Sequence, residues 1–355
     1  MPKENWAEVH FALTVPTVLD RLIQQALLQI LTPLFDPAFS PFSYGFRPRR
    51  KAHDAVLQAQ AYIQEGYRWT VDMDLEKFFD RVNHDILMSR VARKVQDKRI
   101  LKLIRAYLKA GIMENGVAVR SEEGTPQGGP LSPLLANILL DDFDRELTKR
   151  GHRFVRYADD CNVYVKSRRA GERVKESLTK YLEGTLKLKV NREKSDVGRP
   201  WKRKFLGYSF RSHKRAPIRL ADKTIQRFKE RVREITSRTR SMSIHERIRK
   251  LNAYVLGWAS YFRLAEMKTH CKRFDDWIRR RLRMCIWKQW KRVRTWIREL
   301  RALGQPEWIV FMIANSRRGY WEMARNLNNA MNKTYFEQLG LRSVEERYLE
   351  LRSAL

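Results

Sequence analysis

Cysteine is scarce: three in 355 residues, Cys161, Cys271 and Cys285, with no CxxC spacing between any two. That excludes a disulfide framework and a Cys-rich zinc module, and it fits a reducing compartment. Long apolar runs are missing as well. No stretch approaches the ~18 residues a membrane-spanning helix needs. The opening MPKENWAEVHFALTV has no apolar segment of the kind that directs secretion, so neither a membrane nor an export route is expected. Fixed-period repeats and low-complexity tracts are absent. Acidic residues are few beside basic ones, 40 Asp+Glu against 72 Lys+Arg, which leaves a net charge of +32. What is present is 43% hydrophobic and 11% aromatic, enough to build real cores and to exclude a disordered basic tail. The length suits two or three domains.

A charge this one-sided makes the folded chain repel itself, and it points to a polyanionic partner. The excess is uneven. Residues 211–355 carry 35 basic and 14 acidic side chains, net +21, whereas residues 1–210 carry net +11. Seven of the ten tryptophans (258, 277, 287, 290, 296, 308 and 321) fall in the same C-terminal part. Arginine among aromatics suits phosphate contact with base stacking, although any single Trp is as readily core.

Apolar spacing predicts helices over 18–31, 52–64, 84–94, 97–110, 134–147 and 170–184. Pro33, Pro37 and Pro41 are expected to break the chain into a loop that runs to YGFRP (44–48). WTVDMDL (69–75) alternates as a strand does, RFVRYADDCNVYV (153–165) reads as a hairpin with an acidic tip, and a short hairpin is expected at about 203–210. From about 222 onward nearly everything reads as helix. In 274–300, Phe274, Ile278, Leu282, Ile286, Val293, Ile297 and Leu300 fall near one stripe, with Arg279, Arg280, Arg283, Lys291 and Arg294 projecting elsewhere, toward the polyanionic partner. Boundaries are placed at 1–210, 211–303 and 304–355.

Asp72 and Asp74 lie two apart on the expected strand, hence on one face. Asp159 and Asp160 occupy the hairpin tip. Ionised carboxylates repel one another and are best tolerated together around a divalent cation. Mg²⁺ takes a few carboxylates plus water and substrate phosphates. Either pair alone is more readily a turn than a site.

The pairs do not stand alone. VDMDLEKFFDRVNHD, GTPQGGPLSPLLANILLDDFD, FVRYADDCNVYV, KVNREKS and KFLGYSF follow one another in order. In these five blocks the chain resembles the reverse transcriptases encoded by bacterial group II introns, the intron maturases, from about Val15 to the C-terminus. The resemblance implies an α+β right-hand polymerase, with partial fingers and a palm in 1–210 and an all-α basic thumb or maturase domain behind it. LNAYVLGWASYF (251–262) resembles the start of that thumb, and ANSRRGYWEMA (314–324) the tail that follows. By motif, Asp74, Asp159 and Asp160 are the implied Mg²⁺-binding catalytic acids. Phe79, five residues after Asp74, is the implied sugar-sensing aromatic, with Phe78 or Phe79 serving as core. Gln127 and Gly128 would line the nascent base pair, Lys194 would lie near the triphosphate, and Arg47 would meet phosphate. The implied activity is RNA-directed DNA synthesis that uses an RNA template, a DNA primer and deoxynucleotides, with binding of intron RNA to assist splicing and mobility. Only Met1–Ala12 precede LTVPTVLDR, and they do not match the family's basic fingers segment. That leaves two alternatives open, a non-polymerising RNA-binding maturase and a reverse transcriptase of another retroelement or defence system. The Cys/His-rich endonuclease domain that often ends the family is not expected here.

Overall fold

Four short segments build the sheet on which the candidate acids are mounted, the three longer ones rich in β-branched and aromatic residues. They are β1 (Trp69–Met73), β4 (Arg153–Tyr157), β5 (Asp160–Val165) and β6 (Asp196–Gly198), in the spatial order β4-β5-β1-β6 with every pairing antiparallel. The computed structural model describes residues 17–110, 112–114, 117–119, 124–125 and 128–354. Met1–Pro16 and Gln127 lie outside them. The chain divides into two units, Met1–Leu206 with Ser212–Ala216, and Gly207–Arg211 with Pro217–Leu355.

In the first unit one sheet face carries Val71, Met73, Cys161, Val163 and Val197, all buried. Helix α6 (Arg168–Gly184) lies on this face. Gly171 brings its backbone so near that a β-carbon would strike Val197, with Val165 and Val71 in contact beside it. Leu178 and Leu182 of α6 join Leu139 and Phe143 of α5 (Ser132–Lys149) in the same core. The opposite parity of β1 and β5 places Thr70, Asp72, Asn162 and Tyr164 together. The alternation that separates oil from polar groups therefore also sets Asp72 on the face away from the main core.

The remaining elements of this unit are α1 (Val18–Phe35), α2 (Ala52–Gln64), α3 (His84–Val91), α4 (Lys98–Lys109) and the strand pair β2 (Ile112–Glu114) and β3 (Val117–Val119). Helix α1 does not stop at Pro33 but runs through it to Phe35. Leu31 and Phe35 are buried in the core, and the packing of that last turn outweighs the lost backbone bond. The hairpin expected at 203–210 also differs. Residues 200–202 form one helical turn, and β7 (Tyr208–Phe210) pairs instead with β8 (Ile218–Leu220), beyond a loop. Alternation in one strand says nothing about how far away its partner lies.

Among the described residues the second unit adds eight helices to that hairpin: α7 (Asp222–Ile235), α8 (Ile244–Tyr261), α9 (Lys268–Trp290), α10 (Val293–Ala302), α11 (Glu307–Ala314), α12 (Tyr320–Asn326), α13 (Lys333–Gln338) and α14 (Val344–Ser353). Phe228, Trp258 and Phe274 meet at its centre with ring centroids 4.3–5.8 Å apart. The buried Asp275 carboxylate accepts from the Val344 and Glu345 backbone N–H groups and satisfies the start of α14. The single stripe expected over 274–300 is in fact two helices. Lys291 takes a φ of 54° and ends α9, and α10 folds back so that Trp296 stacks on Trp287 at 4.3 Å. A step of seven residues, Ile286 to Val293, looks the same whether the helix continues or breaks. Among the described residues no helix is long and apolar enough to cross a membrane.

One ion pair is sealed inside the first unit. Arg156 and Asp144 are both buried and joined in a two-pronged contact, Nε to Oδ1 at 2.7 Å and a terminal guanidinium nitrogen to Oδ2 at 2.6 Å. Removing one partner strands the other charge in a medium that cannot solvate it. Asp144→Ala is expected to cost about 3–5 kcal/mol in denaturant unfolding. Lys180→Ala, which breaks the exposed pair with Glu176, should cost less than about 1 kcal/mol. Equal costs would refute the assignment.

Candidate active site

Asp74 is the first residue past β1, and its backbone is clamped from both sides. Its N–H donates to Ser195 Oγ at 2.9 Å, and its carbonyl accepts from Asn191 N–H at 2.9 Å. An isolated bridge between Leu75 and Val190 continues the contact. The clamp delivers Lys194, whose Nζ stands 3.9 Å from Asp74 Oδ2. NREKS is thus brought beside the acid from more than a hundred residues away.

Asp159 and Asp160 sit where β4 turns into β5, with Tyr157 paired across from Asp160. Ala158 at the corner takes a φ of 59°, a strained value for a residue with a β-carbon. The turn is held from beneath. The Arg156 guanidinium donates to Ala158 O at 2.7 Å, to Asn137 Oδ1 at 3.1 Å and to Ser43 Oγ at 2.8 Å. Tyr44 N–H donates to Arg156 O, and Arg156 N–H to Phe42 O. Gly45 then lies so close that any β-carbon would sit almost on Ala158 N. Its carbonyl accepts from Asn137 Nδ2 at 2.9 Å.

Antiparallel pairing opposes Asp72 to Asn162, so the next positions of that parity, Asp74 and Asp160, come to the same side. Burial, then Asp72, Asp159 and Asp74, push Asp160 up to about 8. Burial raises Asp72 to about 6, opposed by Arg203 and reinforced by Asp74. Asp159 is raised chiefly by burial, with Asp74 adding to it. These carboxylates are held together against their own repulsion and ask for positive charge. Among the described residues no three metal-ligating side chains form a ready-made cation cage. The donor set is carboxylate oxygen with no thiolate or imidazole, which fits a hard divalent ion that keeps water and substrate oxygens in its shell.

Phe78 is buried, while Phe79 is half-buried and meets it edge-on at 5.1 Å. The carbonyl of Phe79 accepts from Thr125 N–H at 2.6 Å, and Gly124 N–H donates to Val82 O at 2.8 Å. Gly124, at φ 97°, packs where a β-carbon would be 2.9 Å from the carbonyls of Phe79 and Asp80. Gly124 and Thr125 are therefore seated on the turn that carries Phe79. Gly128 is exposed at φ 108°, and Gln127 lies outside the described residues.

Two expectations are corrected. Arg47 does not reach out for phosphate. Its side chain is 6% exposed, pairs with Asp36 at 2.6 Å, and donates to the carbonyls of Asp36, Ser40 and Ser43. It knots the loop that supports the acidic turn. Arg283 is not presented to RNA. It is buried and donates to Ala324 O and Met331 O, and burial lowers it to about 10. Nearby, Arg279 pairs with Asp276, and Arg280 lies 4.1 Å over the Trp321 ring and donates to its carbonyl, while Lys291 is exposed. Sequence reasoning passed over Arg156, Asn137, Gly45 and Ser195. A visible signal for Arg156 was a charge set in an otherwise apolar strand, which has to be paired when the strand is buried.

Residues 1–210 match the family model described as reverse transcriptase (RNA-dependent DNA polymerase), and residues 225–304 match the group II intron, maturase-specific domain. The chain is similar to protein YkfC of Escherichia coli K12, 33% identical over 223 residues that cover 52% of this chain and 58% of YkfC. It is similar to the group II intron-encoded protein LtrA of Lactococcus lactis subsp. cremoris, 30% identical over 280 residues that cover 61% of this chain and 47% of LtrA. An uncharacterized 91 kDa protein in the cob intron of Schizosaccharomyces pombe is 36% identical over 132 residues, 37% of this chain and 16% of its own. The chain spans about half the length of the first two relatives.

The close approach at Gly45 is directly testable. Gly45→Ala should destabilise by about 1–3 kcal/mol through overpacking against the acidic turn. Gly184→Ala, at a helical site with nothing near its β-carbon, should be neutral or stabilising by up to ~1 kcal/mol. Denaturant midpoints of the two variants decide the matter, and a harmless Gly45→Ala would mean that the turn is not held from this side.

Proposed function

The chain belongs to the reverse transcriptase (RNA-dependent DNA polymerase) family, and from that premise we propose that it copies RNA into DNA and binds group II intron RNA to assist splicing and mobility. The observation that carries the catalytic half is the convergence of Asp74, Asp159 and Asp160 from neighbouring strands into one electrostatically coupled set. These residues would hold Mg²⁺, which when bound supplies the positive charge that offsets the attacking and leaving oxygens of phosphoryl transfer. The primer 3′-hydroxyl displaces pyrophosphate from the α-phosphate of a deoxynucleotide. Lys194, beside Asp74, meets the triphosphate as a point charge. The Phe79 ring lies under the incoming sugar and leaves no room for a 2′-hydroxyl, and Gly128 lines the nascent base pair. The protein's part is chiefly positioning and charge.

The intron-RNA half of the reading is supported by the match over 225–304 and by the net +21 of residues 211–355. Lys291, Arg279 and Arg280 are its contact candidates on and just after α9. The same positive excess favours a second reading, an RNA-binding maturase that polymerises nothing.

Asp159→Asn should lower primer extension on an RNA template ~10²-fold or more, because a cation ligand acts on the transition state. Affinity for intron RNA should stay within about twofold, since phosphate contacts dominate it. Comparable extension by parent and variant would sink the assignment. A parent that binds RNA but never extends would establish the second reading.

Phe79→Val should raise the ratio of ribo- to deoxynucleotide incorporation without loss of cation dependence. An unchanged ratio with activity retained would make Phe79 a packing residue only.

A further inference from the structure

Two buried polar atoms stand without partners on the strands that carry the acids. Thr70 and Asp72 of β1 share a face with Asp160, Asn162 and Tyr164 of β5. Thr70 and Asn162 are each 2% exposed, and neither Thr70 Oγ1 nor Asn162 Nδ2 has a hydrogen-bond partner among the described residues. A polar atom buried in that state costs free energy, so each of the two calls for an explanation.

Register narrows what they face. Across one strand pair Asn162 meets Val155, which is buried and apolar, and across the other it meets Asp72. Directly opposed residues hold their β-carbons about 4.5–5.5 Å apart. The Asn162 amide thus has the Asp72 carboxylate as its polar neighbour across β1 and does not bond it directly. Thr70 lies diagonal to Asn162, on the side of Asp72 that leads away from Asp74, and its own partners are Tyr164 and Gly198. Gly198 contributes no side chain, and Arg203 fills the place: a β-carbon there would lie 2.6 Å from Arg203 Nε. Arg203 is held in turn by Asp196, the residue opposite Asp72 on β6.

Two unpartnered groups beside one carboxylate form the surroundings in which an internal water is bound, since such a water makes about three hydrogen bonds to buried polar groups. We propose that Asn162 and Thr70 are positioning residues for the catalytic acids: through one shared internal water they anchor the Asp72 carboxylate and keep it out of the cation site formed by Asp74, Asp159 and Asp160. An anchor is needed because Asp72 is the foremost charge acting on Asp160. A free carboxylate that near would compete for the same cation or push Asp160 aside. The proposal rests on the reading that the three acids hold a divalent cation, and it adds how a fourth acid two residues away is kept from joining them.

The first arm of the test involves no catalysis. In denaturant unfolding of the full chain, Thr70→Val and Asn162→Leu should each raise the unfolding equilibrium constant on the order of tenfold. The double variant should go little beyond the larger single effect, because both changes act through one water. Valine keeps the shape of threonine, so if Oγ1 were bonded to nothing its removal would stabilise the fold. A stabilised Thr70→Val, or single effects that multiply in the double variant, overturns the proposal. Thr70→Ser keeps the hydroxyl and should behave as the parent.

The second arm reads the cation. Asn162→Leu should need about tenfold more Mg²⁺ to raise its thermal midpoint as the parent's is raised, the usual cost of losing a group that orients a ligand. The Mg²⁺ concentration that gives half-maximal primer extension should rise in step, while KM for the deoxynucleotide stays within about twofold. Coupled unfolding energies with an unchanged Mg²⁺ requirement would make the water a packing element and overturn the positioning role. A parent whose midpoint responds to Mg²⁺ but which never extends a primer would overturn the polymerase reading alone. A parent that neither responds nor extends would overturn the cation reading and this proposal with it.

Discussion

The first unit depends on a single buried guanidinium. Arg156 has no access to water, so each of its N–H groups has to be met inside the protein. Asp144 and Asn137 come from α5, Ser43 from the loop after α1, and Ala158 O from the turn itself. A cation that must satisfy four partners at once has few arrangements open to it. That multiplicity fixes a strained corner which would otherwise relax, and the corner sets the direction of Asp159 and Asp160. The cost of burying the charge is offset by Asp144, and what the arrangement contributes is geometry.

Geometry is what the acids need, because their preference is to separate. Burial and mutual repulsion raise Asp72, Asp159 and Asp160 together. A flexible loop would splay them. The sheet resists because Asp72 is locked in register opposite Asn162, and Asp74 is clamped by Ser195 and Asn191. Repulsion held in place by rigid backbone suits a cation without a preformed cage.

Alternation and helical spacing made most elements of both units legible, since the oil–water division that folds a strand or a helix is written directly in residue order. The acids were legible for a different reason: five ordered blocks constrain one another far more than Tyr-Ala-Asp-Asp does alone. What escaped was the direction in which a charge points. Arg47 and Arg283 look like surface cations in the sequence, yet both are spent on backbone carbonyls inside. Residue type sets what a guanidinium can bond, and only tertiary packing decides whether a carbonyl reaches it before a phosphate does. Pro33 escaped for a related reason, because the burial of Leu31 and Phe35 on the same turn outweighs a local rule.

The tryptophans show the same division between type and placement. Trp258 and Trp287 are buried, the first against Phe228 and Phe274, the second stacked on Trp296. Trp308 stands mostly in water. The buried ones are explained by the core they fill. The exposed one is not, and its helix already has a sufficient inward face in Val310, Ile313 and Ala314.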